Sequence, residues 1–145
     1  MPTSGEPDDG DARLLLDTSA AIALVQPSHT KHEAVFRRVR GVRLGLAGHA
    51  AVETYSVLTR LPGAQRVSGP EAARIIRTNF PLTYALAAAT AADAPDLLAR
   101  RGIAGGAAYD GLVALAAAEA GLTLLTCDRR AVGTYAQFGV DLEIV

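Results

Sequence analysis

Short apolar runs alternate along this chain with longer segments of helical spacing. The short apolar runs predict strands over residues 14–17, 43–47, 82–85, 122–126 and 140–145. Helical patterns begin near Ser19, Thr30, Gly48, Ser68, Ala88, Ala107 and Arg129. Some boundaries have a local cause. Ser68, Gly69, Pro70 and Glu71 form a capping box, with Ser68 accepting from the first turn and Glu71 reaching back. Gly121 supplies the left-handed residue that commonly ends a helix. Strands alternating with helices predict an α/β layer on a mostly parallel sheet. In such sheets ligands bind beyond the carboxyl ends of the strands, and Asp17 and Asp128 fall at or just past two of those ends.

Composition narrows the class. The 145 residues suit one domain, with a polar, acidic and flexible tail over residues 1–12 and a folded unit over residues 13–145. No apolar stretch approaches the ~20 residues of a membrane helix, and the polar start does not read as a secretory signal. A cytoplasmic location without membrane contact is the expectation. The lone Cys127 excludes an internal disulfide and reads as a buried, reduced spectator. The net charge of -1 hides an asymmetry: with Glu6, Asp8, Asp9 and Asp11 set aside, residues 13–145 carry fourteen basic and eleven acidic side chains, a net of +3. An anionic partner is therefore permitted.

Four acids stand where packing does not require them. Asp17 ends the first strand, Glu53 lies early in HAAVETYSVLTRL, Asp110 opens an otherwise apolar helix, and Asp128 follows LTLLT. Taken singly, each could be a helix cap or a charge favoured by the helix dipole. The α/β arrangement would gather them at one sheet edge, and there capping no longer suffices. Two carboxylates ~5 Å apart repel by roughly 3 kcal/mol at an effective dielectric of ~20, so a cation is implied. The only lysine, Lys31, is remote from all four in sequence; an arginine could supply the charge, but a bound metal is the economical answer. An all-carboxylate set, with the hydroxyls of Thr18, Ser19 and Thr126 close by, suits Mg²⁺ or Mn²⁺. His29 and His32 lie in the polar segment QPSHTKHEA and read as a solvated helix start, while His49 could line the cleft. An ion held by carboxylates supports in-line hydrolysis of a phosphodiester by a metal-activated water. No GxxxxGK[ST] or GxGxxG loop is present.

LLLDTSAAIAL, HAAVETYSVLTRL, AAYDGLVALAAAEAGLTLLTCD and GVDLEIV together resemble a PIN-domain ribonuclease, and more closely a VapC-type toxin of the VapBC toxin–antitoxin systems. The resemblance covers residues 13–145. It implies a three-layer α/β/α sandwich, a Mg²⁺- or Mn²⁺-dependent endoribonuclease, a homodimer, and inhibition by a cognate VapB-like antitoxin. By motif, the family's four catalytic and metal-holding acids fall on Asp17, Glu53, Asp110 and Asp128, and its hydroxyl positions on Thr18 or Ser19 and on Thr126. Asp93 and Asp96 lie outside the motif and read as an exposed helix start. Where the family often has Phe after the last acid, this chain has Tyr135, and the acidic tail is extra.

An RNA substrate needs basic surface. Arg129 and Arg130 follow Asp128, and Arg100 and Arg101 precede the Asp110 loop. The run RRVRGVR over residues 37–43 reads equally as a solvated helix face or an antitoxin contact. The low aromatic content, with no Trp, disfavours a broad base-stacking platform. Two alternatives stay open at this point: a catalytically silent PIN-like RNA- or protein-binding module, and a small-molecule phosphohydrolase with a nucleophilic aspartate.

Overall fold

The computed structural model describes residues 11–145. Most of the tail expected over residues 1–12 lies outside the described residues. Ala12, at its end, is already tied down, its carbonyl accepting from the Arg43 amide at 2.9 Å.

Strand β1, Arg13–Leu16, buries Leu14, Leu15 and Leu16 in succession. Successive strand side chains point to opposite faces, so this run is buried only if both faces of the sheet are covered. Strand β2 is Arg43–Leu46, β3 is Leu124–Thr126 and β4 is Leu142–Ile144. All pair in parallel in the order β2-β1-β3-β4. Parallel neighbours need crossovers, and the helices supply them: α1, Thr18–Val25; α2, His32–Val39; α3, Ala50–Thr59; α4, Gly69–Asn79; α5, Ala88–Arg100; α6, Ala107–Ala120; and α7, Val132–Ala136. The result is the expected three-layer α/β/α sandwich with a parallel centre. Its main core joins Leu15, Leu16, Leu46, Leu124 and Leu125 to the alanines of α1 and α6, and a smaller one forms where Ile22, Leu58 and Ala72 meet. Among the described residues, no helix is long and apolar enough to cross a membrane.

Four expectations are corrected. Residues 82–85 make no strand: only Tyr84 bridges, to Ala47. The Leu82 and Tyr84 amides donate to the carbonyls of Leu44 and Leu46, but the Leu46 amide turns to the Thr83 hydroxyl, which interrupts the ladder. The capping box is half made. Ser68 accepts from the Glu71 amide, while the Glu71 carboxylate pairs with Arg74 one turn on. Asp93 and Asp96 are exposed as expected, but α5 begins at Ala88, so both lie inside the helix rather than at its start. Cys127 is half-buried rather than buried. Gly121 ends α6 as expected, with φ 66 and ψ 28.

Topology sets the functional edge. From β1 the chain first crosses to β2 on one side, and β3 later returns on the other. The carboxyl ends of β1 and β3 therefore flank a switch point, where open parallel sheets leave a crevice.

Candidate active site

Each acid reaches that crevice by a different element. Asp17 follows β1 and is the N-cap of α1; Asp128 follows β3. Glu53 and Asp110 sit in the first turns of α3 and α6, where the helix dipole favours negative charge. All four line one cavity of about 190 Å³, together with Thr18, Ser19, Val113 and Tyr135. The gathering expected from the sequence is thus found.

Asp17 is 3% exposed and is the most constrained of the four. Its Oδ1 accepts from the Ser19 hydroxyl at 2.6 Å and the Ala20 amide at 3.0 Å. Its Oδ2 accepts from the Thr126 hydroxyl and from the Tyr135 hydroxyl at 2.8 Å. Four donors thus converge on this one carboxylate and fix where it points. Asp17 thus also caps α1. The hydroxyls form the surrounding brace: Ser19 also accepts from the Cys127 amide, and Thr126 from the Asp128 amide. Thr18 does not join it, and its buried Oγ1 has no partner among the described residues.

The other acids are freer. Asp128 accepts only from the amide and guanidinium of Arg130, and Glu53 and Asp110 have no side-chain hydrogen bond among the described residues. The Asp110 carboxyl is held above the ordinary carboxylate range, first by burial and then by the charges of Glu53, Asp128 and Asp17, against a lowering by Arg130. Burial, then the charge and hydrogen bond of Asp17, push the Tyr135 hydroxyl far up, so it remains a donor. Burial and Asp17 also raise the Cys127 thiol, which fits an unreactive role.

The donor set fits a hard divalent cation: carboxylates and hydroxyls line the cavity, with no imidazole or thiolate. Among the described residues no three His, Cys, Asp or Glu side chains close into a metal-binding group.

The basic residues are distributed differently from the expectation. Arg101 donates to the carbonyls of Gln137 and Leu97 and lies over the Phe138 ring at 4.7 Å, so it braces the end of α5. Arg130 stays beside Asp128. Lys31, remote in sequence, shares a second cavity with Thr18, Ser19, Asp128 and Arg130. Arg60 lines a third with Glu53 and Asp110. Long-range contacts alone reveal these two cations, as they do the Tyr135 bond. In the run over residues 37–43, Arg37 pairs with Glu33 on the solvated face of α2, and Arg38 with Glu143 of β4. His29 and His32 are engaged locally, through the Lys31 amide and the Ala23 carbonyl.

Fold and site together define an α/β protein with an acidic centre at a parallel-sheet switch point. A family model described as PIN domain matches residues 14–136, and the chain belongs to that family. Its relatives within it are of the VapC type. The chain is 45% identical over 131 residues to ribonuclease VapC27 of Mycobacterium tuberculosis H37Rv, covering 90% of this chain and 96% of the relative. It is also 45% identical over 135 residues to ribonuclease VapC40 of the CDC 1551 strain, covering 89% and 96%. Among solved structures it resembles VapBC2 from Rickettsia felis bound to a promoter DNA fragment, with a TM-score of 0.64 at 13% identity over 92% of this chain and 98% of that one.

Proposed function

We propose that this chain is the toxin of a toxin–antitoxin pair and an endoribonuclease, inhibited by a VapB-like antitoxin and working as a homodimer. The carrying observation is the meeting of Asp17, Glu53, Asp110 and Asp128, from four separate elements, in one cavity. Their sequence context and the ribonuclease names of the 45%-identical relatives support the same reading. The four acids would hold Mg²⁺ or Mn²⁺. When bound, such an ion polarises the scissile phosphate and activates the attacking water. The chain's own contributions are positional. Ser19, Thr126 and Tyr135 fix Asp17, while Glu53 and Asp110 remain free to turn toward a cation. Lys31, Arg60 and Arg130 border the cavities and would offset phosphate charge.

Purified protein should cleave single-stranded RNA with Mg²⁺ or Mn²⁺ and stop with a chelator. Glu53→Gln and Asp110→Asn should each lower the rate by at least ~100-fold with the fold intact, as should Asp128→Asn. Mn²⁺ should raise the melting temperature of the wild type and leave that of Asp110→Asn nearly unchanged. Full cleavage by Asp17→Asn and Asp128→Asn would refute the assignment. Tight RNA binding with no metal-dependent cleavage would favour a silent binding module instead.

A further inference from the structure

The acid cavity, at about 190 Å³, is smaller than the ~300 Å³ at which pockets begin to hold organic ligands. Beside it, sharing Glu53 and Asp110, lies a cavity of about 610 Å³ lined also by His49, Val52, Ser56, Arg60, Gly106 and Tyr109. We propose that this larger cavity is a subsite for one unpaired nucleobase next to the scissile phosphate, with the stacked His49–Tyr109 pair as its platform. The inference rests on the ribonuclease reading of the adjoining acids.

Tyr109 immediately precedes Asp110 on α6 and is 55% exposed, although it is a large ring beside a charged centre. Its ring lies on that of His49, with centroids 5.0 Å apart and planes 21° from parallel. One face is thereby supported, and more than half of the residue stays exposed in a cavity wall. Val52 adds apolar wall, while Ser56 and Arg60 supply donors that no side-chain hydrogen bond or ion pair occupies among the described residues. Apolar walls with a few unspent polar groups are the make-up of a ligand pocket. Aromatic stacking accepts any base, whereas Ser56 and Arg60 could read its edge or the flanking phosphate. With no Trp and 5% aromatic residues, the chain has material for a platform one base wide.

The test compares wild type, Tyr109→Ala and Tyr109→Phe in steady-state cleavage of short single-stranded RNAs, intact or abasic at one nucleotide flanking the cleaved bond. Tyr109→Ala should raise KM by roughly 5- to 100-fold, the range of one base–aromatic stack, with kcat nearly kept. Tyr109→Phe should match the wild type. One abasic position should reproduce the loss in the wild type and add nothing in Tyr109→Ala. An unchanged KM in Tyr109→Ala, or an abasic cost as large there as in the wild type, would overturn the subsite. So would an unchanged KM alongside weakened binding of a protein inhibitor, which would make the cavity a protein contact. If the wild type cleaves no RNA, the ribonuclease reading fails separately, and a 2-aminopurine RNA then reads the platform directly. Quenching lost in Tyr109→Ala would sustain the subsite, and no quenching in the wild type would remove it.

Discussion

Tyr135 stands where the sequence resemblance implied a Phe, and in the structure its hydroxyl has a physical role. The ring fills the core at 2% exposure, as Phe would, and the added hydroxyl donates to Asp17 Oδ2 at 2.8 Å. Tyr135→Phe removes that donor without opening a cavity. A buried hydrogen bond to a charged group contributes about 1.5–3 kcal/mol, and the remaining Thr126 donor softens the loss. Urea denaturation should show a fall of about 1–2 kcal/mol; an unchanged midpoint would mean that the bond contributes nothing. Asp110 poses the opposite case. Its folded carboxyl titrates above the unfolded one, so over that window the native state holds a proton the unfolded chain has released. Stability from this group therefore falls as pH rises from ~4 through the raised value, and the penalty is complete above it. Asp110→Asn should stabilise the metal-free protein at pH ~7.5, by no more than ~1 kcal/mol because the group is half-exposed, and should add nothing below pH ~4. Thermal melts at the two pH values check the sign: an Asn variant less stable at the higher pH would contradict it.

Among the elements, helices were the more legible in the sequence, because their starts depend on local chemistry. The patterns beginning near Ala88 and Ala107 open α5 and α6 at those residues, and Gly121 closes α6. The pattern near Arg129 opens α7 only at Val132, since Asp128 first turns the chain through Arg130. Residues 82–85 read as a strand because they form one of the short apolar runs, but the outcome depends on a side chain, Thr83, that replaces a ladder acceptor. The 3-10 turn Gly63–Gln65 had no pattern to show it. Gly45 in β2 carried a usable signal, since glycine inside a strand often marks a close backbone approach. A Cβ there would lie 2.3 Å from the Leu82 carbonyl carbon and oxygen, and 2.7 Å from the Thr83 nitrogen. Backbone cannot swing aside as a side-chain end does, so Gly45→Ala should cost about 1–3 kcal/mol and detach this segment from β2. Faster hydrogen exchange at the Leu82 and Tyr84 amides would report it, and protection equal to the wild type would show that the segment shifts without cost.

Across the whole molecule, the acids were legible and the cations only in part, through Arg130. Each acid announces itself locally, as a charge at the edge of a segment built for burial, and the parallel sheet then brings all four to one switch point. A surface cation carries no such mark. Arg101 looked as promising as Arg130 yet is spent on Phe138 and Gln137, while Lys31 and Arg60 come to the cavities only through the folding of α1 to α2 and of α3. This distribution predicts how RNA affinity depends on salt. For single strands, log K falls with log salt by about 0.7 per phosphate neutralised, so Lys31, Arg60 and Arg130 together predict a slope near about -2. Measured without added divalent cation between ~50 and ~200 mM salt, Arg60→Ala should flatten the slope by about 0.7. Arg101→Ala should leave it unchanged, because that guanidinium is committed within the fold. The reverse pattern, a slope that responds to Arg101 and ignores Arg60, would move the RNA path from the α3 side of the acids to the end of α5.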